Sequence, residues 1–453
     1  MVKNISDDGG YALASVLFLV TVLSILCAII LKVELDERKA ILNTADKIKS
    51  QNASENGIVL AMSSLRSQSS SDSISSTQFG DGSSVEIEVF PWGLFTGVTS
   101  KGVSHSSACV RSALLGSSIT DSERAALILG NLQHGLVFAG SSTIIGDVAV
   151  GPMGVSTGSL KDFSTPRSVP ITGKKIVLST PQLFFDTLAL YRHVTLTRAL
   201  FNHVRRSQGG QDNTGNAMEC HGSLSLNQVD DSINYVFCDG SLSLRDTIMR
   251  RGPPLYIVVL GAVSLCENTL LSGPIFVSST DSIVLPPKVS ITNCVFTSTK
   301  SITLLSGSRM IAQLFSPRIH FSSGAAASYP SVAASTSFVD TSGSFQNIQF
   351  DDGSRIEGAV IMQRAGSIEM DRAVITLSPG ATVMGGVYCD SYLTLDGTVD
   401  GYVRTFDLYF YDSPTAYLGW MRQGTINRTL LPFGSLKPVG VSGNDTLKVL
   451  SWM

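Results

Sequence analysis

Five acidic residues, Asp351, Asp352, Glu357, Glu369 and Asp371, crowd one short stretch of the chain. A pair of such carboxylates, one acid and one base, is what glycoside hydrolysis requires. Most of these residues, however, sit in Asp-Asp-Gly or Ser-x-Glu contexts that suit solvated turns, with no recognisable catalytic set beside a Lys or Arg. The histidines His105, His134, His193, His203, His221 and His320 form no H-x-x-x-H or H-E-x-x-H pair. Cys220 and His221 are adjacent, which is the wrong spacing for joint ligation, and no C-x-x-C occurs. The oxygen-rich segment 209–216, GGQDNTGN, could approach Ca²⁺ but lacks a bidentate Glu at EF-hand spacing, so a surface loop is the simpler reading. The expectation is a non-enzymatic protein with no catalytic residue, no metal and no cofactor.

What, then, organises the chain? From about Leu255 a short pattern recurs, apolar-x-[Gly/Asn/Gln]-x-apolar. Its copies begin at Leu271, Ile291, Ile311, Ile356, Val383 and Val399. Between them lie short alternating stretches: Ile283–Leu285, Ile302–Leu304, Ile348–Phe350, Ile368–Met370 and Leu393–Leu395. Gly and Asn tolerate left-handed backbone, so they suit tight corners between sheet faces. The spacings predict a right-handed parallel β-helix, or a closely related β-solenoid, over 255–410. An antiparallel sandwich with regular turns is the other arrangement these signals allow.

Composition agrees with turn-rich β structure: 41 glycines, 8% aromatic and 15% charged residues among 453. The net charge of −3 is spread without a basic patch, which argues against a nucleic-acid partner. At this length the chain should form more than one compact unit.

The amino-terminal region is of another kind. Tyr11 to Leu31 is 21 residues without a charge, or roughly 32 Å as a helix, against a hydrocarbon core of ~30 Å. Charges follow at once at Lys32, Glu34, Asp36, Glu37, Arg38 and Lys39. A secretory signal would be shorter and end in a small-x-small site, so this run reads as a retained anchor. Segment 34–65 then keeps helical composition with a single glycine and no proline, and Ile41, Leu42, Ala45 and Ile48 share a face.

The junction Gly10-Tyr11-Ala12-Leu13, a short polar leader ending in Gly before an apolar helix, resembles the type IV prepilin pattern. Glu37-Arg38 and Ala53-Ser54-Glu55-Asn56-Gly57-Ile58 resemble the E-R and A-x-E-x-G-L elements of minor pilins. In style the chain is similar to large minor pilins and to the K-type pseudopilin of type II secretion. The resemblance implies cleavage between Gly10 and Tyr11 by a prepilin peptidase and methylation of the new amine. It also implies the bacterial inner membrane and other pilins or pseudopilins as partners, with the bulk of the chain periplasmic or extracellular. The chain departs from the pattern at Ser15, where most pilins carry a Glu, and that departure points to a tip or initiating subunit. The leader is also poor in basic residues: it has Lys3 but also Asp7 and Asp8.

The organisation expected is therefore α+β. Leader 1–10 precedes helix 11–66, a Ser-rich linker 67–82 and pilin-like β hairpins 83–118 with turns at Pro91-Trp92-Gly93 and Ser100-Lys101-Gly102. A mixed α/β region 119–254 contains an amphipathic helical region over 180–207, followed by the solenoid 255–410 and a C-terminal β segment 411–453. Cys109, Cys220, Cys238, Cys266, Cys294 and Cys389 would be exported, and whether they pair stays open. Two functions fit: a structural pilus subunit whose exported domain serves assembly or surface contact, or a pilin-anchored β-helix that binds or processes carbohydrate or acts as an adhesin on a surface ligand.

Overall fold

The computed structural model describes residues 8–67, 73–118, 125–180, 187–207, 217–230, 232–250, 253–336, 345–364, 372–431, 435–438 and 447–452. Most of the leader, the 209–216 loop, Glu369, Asp371 and the stretch Ile368–Met370 lie outside them. Two compact units emerge.

The first unit joins the helix through Ala61 to segments 74–88 and 99–111. Helix α1, Asp8–Ser67, runs 60 residues without a break, about 90 Å at ~1.5 Å per residue. Its apolar start, Leu13 to Leu31, is exposed throughout. Packing begins only past Asp46, where a seam of small residues appears: Ser50, Ala53, Ser54, Gly57, Ile58 and Ala61 are buried. This accounts physically for the 53–58 motif. Its small residues let the strands approach, and a Cβ on Gly57 would lie 2.1 Å from Ser100 Oγ. Glu55, on the other side of the motif, pairs with Arg111 at 2.9 Å.

The strands Ser73–Gln78, Ser84–Trp92, Phe95–Ser104 and Ser107–Ser118 lie in that order in one sheet, with Leu447–Trp452 antiparallel to the last of them. Part of the Ser-rich stretch is thus a strand. Ser100-Lys101-Gly102, expected as a turn, lies inside the strand Phe95–Ser104. Gly102 is there for closeness instead: a Cβ would meet Ser50 O at 2.2 Å.

The second unit is the predicted parallel β-solenoid, built from three ladders. The first runs through Tyr235–Cys238, Leu255–Val259, Ile275–Ser279 and Cys294–Thr297, and on through Val360 and Val387 to Val403. The second contains Ser282–Leu285, Ser301–Leu304, Arg318–Phe321, Gln346–Phe350 and Ala373–Leu377. The third links Leu271, Ile291 and Met310, then Ile356, Val383 and Val399. Side chains alternate, so Ile283, Ile302, Ile319, Ile348 and Ile375 stack inward at 0–1% exposure. Each such side chain contributes about 1.5–3 kcal/mol by burial.

The repeat copies at Leu271 and Ile291, and those at Ile356, Val383 and Val399, pair in register. The copy at Ile311 is displaced by one residue: Met310, not Ile311, faces Ile291, because the corner there lacks a counterpart to Asn293. The corner residues Gly273, Asn293, Gly358 and Gly385 all have positive φ, as expected of tight corners. The parallel ladder also reaches upstream of 255, to Ala217–Ser225 and Tyr235–Arg245. More unexpectedly, Leu127–Leu129 pairs with Val403–Thr405, and Thr143–Ile145 with Thr425–Asn427. Rungs early in sequence therefore stack on the rungs that come last.

Candidate functional site

The sequence-predicted processing residues lie at the start of α1. Gly10 and Tyr11 are in its first turn, and Ser15 is exposed in the apolar run. The run is long and apolar enough to cross a membrane. Thr21 and Ser24 donate their hydroxyl protons to Leu17 O at 2.7 Å and Val20 O at 2.8 Å. Each hydroxyl is thereby satisfied inside the helix, the condition that lipid imposes.

In the solenoid unit the outer face of the first ladder is itself apolar. Phe276, Val295, Phe315, Val332, Ile361, Tyr388 and Tyr402 are buried there although they point away from the solenoid core. Helix α2, Thr187–Ser207, supplies part of the cover through Leu190, His193, Val194, Thr197, Leu200 and Phe201, spaced three and four apart on one face. His193 stacks on Phe315 at 3.6 Å between ring centres, and its Nε2 is 3.0 Å from Thr297 Oγ1. The hairpin turn Trp92-Gly93-Leu94 adds a second cover. Gln313 donates from Nε2 to Trp92 O and accepts from Leu94 N, both at 2.8 Å. Gln313 thus satisfies the backbone of a buried turn, a role its place in the repeat did not announce.

Burial holds the His193 imidazole down to about 3, so it stays neutral in the fold. The unfolded chain takes up a proton near pH 6.5 that the folded chain refuses. Stability is then present above that pH and lost progressively as pH falls toward 3, by up to about 1.4 kcal/mol per pH unit. His193→Phe should flatten this acid-side slope in chemical denaturation between pH 6.5 and 4. An unchanged slope would show that His193 is not the group responsible.

Asp407, 0% exposed, accepts from Asn131 Nδ2 at 2.7 Å, from Leu408 N at 2.8 Å and from His134 Nδ1 at 2.9 Å. Burial raises its carboxyl above the usual range, and the His134 and Asn131 hydrogen bonds oppose that rise. The cluster ties an early rung to a late one, and no spacing in the sequence signals it.

Of the candidate carboxylates, Asp351 pairs with His320 at 2.8 Å and Glu357 with Arg355 at 2.8 Å. They belong to separate pairs. Cys220 is buried in the core while His221 is exposed, as alternation along a strand requires. All seven cysteines are free thiols. Burial pushes Cys220 and Cys389 up to about 12, which makes them inert core residues. Among the described residues no group of three or more His, Cys, Asp or Glu could hold a metal ion.

These features define a class: a parallel β-solenoid protein with a long amino-terminal helix whose first half could span a membrane. No family model matches the chain, and no curated protein matches its sequence. Among solved structures, one similar chain is the competence-associated pilin ComZ from Thermus thermophilus. It is 11% identical, with 90% of this chain and 97% of that one covered and a TM-score of 0.19. Another is an ice binding protein from an Antarctic bacterium, Flavobacteriaceae, at 10% identity, 68% and 97% coverage and a TM-score of 0.15. At those scores neither likeness carries an argument.

Proposed function

We propose that this chain is a minor pilin-like subunit, placed at the tip or start of a type IV pilus or type II secretion pseudopilus. The observation that carries the reading is the unbroken helix α1. Its apolar half is exposed among the described residues, and its 50–61 half is seated on strands through the pilin-like 53–58 motif. An apolar helical face without an internal partner suits lipid before assembly and neighbouring helices after it. The role is structural, with no catalytic step and no cofactor. Its partners are the inner membrane, a prepilin peptidase and other pilins or pseudopilins, and the solenoid is carried outside. Ser15, in place of the usual Glu, removes a carboxylate that is costly in lipid and that would help draw the subunit beneath a predecessor.

The first test is processing. The mature chain should begin at Tyr11 with a methylated amine, read by mass spectrometry of protein from peptidase-positive cells. Gly10→Val should leave the leader attached, because a branched side chain crowds the scissile peptide. A mature chain still beginning at Met1 would remove the proposal's basis. Position is the second test: in sheared fibres the protein should be rare and terminal. Abundance near that of the main subunit, along the whole fibre, would exclude a tip role.

A further inference from the structure

The outer face of the second ladder, unlike that of the first, is open and polar. A groove of about 270 Å³ lies across three successive rungs, lined by Ser301, Thr303, Arg318, His320, Asn347 and Gln349. The register places them in two columns, Ser301–Arg318–Asn347 and Thr303–His320–Gln349. Strand spacing sets the steps at ~4.8 Å, so the three rungs span about 10 Å. Ile302 and Ile319 also border the groove with their side chains buried inward at 0% and 1% exposure, and its lining is mixed polar and apolar.

These groups are held ready. Asp351 accepts from His320 Nε2 at 2.8 Å through one oxygen and from Gln349 Nε2 at 2.9 Å through the other. Both side chains are thereby fixed, with His320 Nδ1 and Gln349 Oε1 left unused among the described residues. Asn347 also lines the groove, on the rung after Arg318. Arg318 is exposed, makes one long contact to Lys300 O at 3.4 Å, and has no carboxylate partner among the described residues. Its neighbour Lys300 is already paired with Asp281 at 2.9 Å. A guanidinium of this kind matches a carboxylate or sulfate in bidentate fashion.

We infer that this groove binds an acidic glycan, with Arg318 taking the sugar's carboxylate or sulfate and Asn347, Gln349 and Thr303 taking hydroxyls. Fixed donors and acceptors repeating along a rigid ladder suit a hydroxyl-rich chain of repeating units. An apolar ligand would leave the Arg318 guanidinium without a counter-charge, and a peptide strand would find no free sheet edge within the ladder. The inference goes beyond the pilus reading and does not depend on it, since it concerns the solenoid surface alone.

The test uses the full chain in detergent micelles on an array of uronate-bearing, sulfated and neutral oligosaccharides, followed by calorimetric titration of the strongest binder. Acidic chains should be retained at least tenfold better than neutral ones of the same length. Arg318→Ala should weaken binding tenfold or more, and Thr303→Trp, which fills the groove, should abolish it. Lys288→Ala, outside the groove, should change nothing, and circular dichroism should confirm that each variant is folded. No array signal above the micelle blank overturns the proposal. So does equal retention of neutral chains, or binding that survives both Arg318→Ala and Thr303→Trp.

Discussion

Gly385→Val should destabilise the solenoid by more than about 4 kcal/mol, in the range reserved for changes that a core cannot absorb. Three stacked corners share one geometry. A Cβ on Gly358 would lie 2.0 Å from Ser331 O, one on Gly385 1.9 Å from Gly358 O, and one on Gly401 1.9 Å from Gly385 O. The obstacle in each case is a backbone carbonyl, which cannot swing aside as a side chain would. Gly385 also has φ +144, where a branched residue is strained in any surroundings. Relief would require shifting a rung, and the rung of Gly385 is bonded to one on each side. Gly307 is the control: its φ is +76, with open space around the position a Cβ would take. Gly307→Ala should therefore cost only about 1–2 kcal/mol of backbone strain. Urea unfolding followed by circular dichroism reads both. Equal midpoints for the two variants would contradict the stacked-corner register.

Removing residues 1–31 should convert a protein that resists carbonate extraction from membranes into one found in the soluble fraction, still with a β-dominated spectrum. Thirteen large apolar side chains between Leu13 and Leu31 are exposed. At about −0.3 to −0.6 kcal/mol each at membrane depth, they favour insertion by about 4–8 kcal/mol. Nothing in the solenoid depends on them, because its core is closed by its own three ladders. A full-length chain that washes off membranes, or a shortened one that loses its β signal, would refute the division of labour between anchor and solenoid.

Several features were readable in the residues because their causes are local. An uncharged run of membrane length is apolar whatever it packs against. Tight corners demand Gly or Asn at the corner itself, so Gly273, Asn293, Gly358 and Gly385 announced the solenoid. The helix within 180–207 was legible from its three- and four-residue spacing, and it forms over Thr187–Ser207.

Other features have non-local causes. Ser100-Lys101-Gly102 has turn composition, yet Gly102 is a strand residue because α1 passes too close for a side chain. Ser73–Gln78 has linker composition, and a neighbouring strand makes it part of a sheet. The Ile311 copy slipped by one because corner lengths vary between rungs, and only hydrogen-bond register counts them.

By itself, then, the sequence determined that this protein has a membrane-length apolar helix and a stack of parallel rungs. Each follows from residue type at fixed short spacing. The tertiary structure alone decided that segments 127–145 continue the stack beyond 398–427, that Asp407 meets His134 across 273 positions, and that α2 and the Trp92 turn cover one outer face while the Arg318 face stays open. Parallel ladders pair strands through backbone groups that every residue carries, so the partners of an outward side chain are set by stacking order, which no local pattern records.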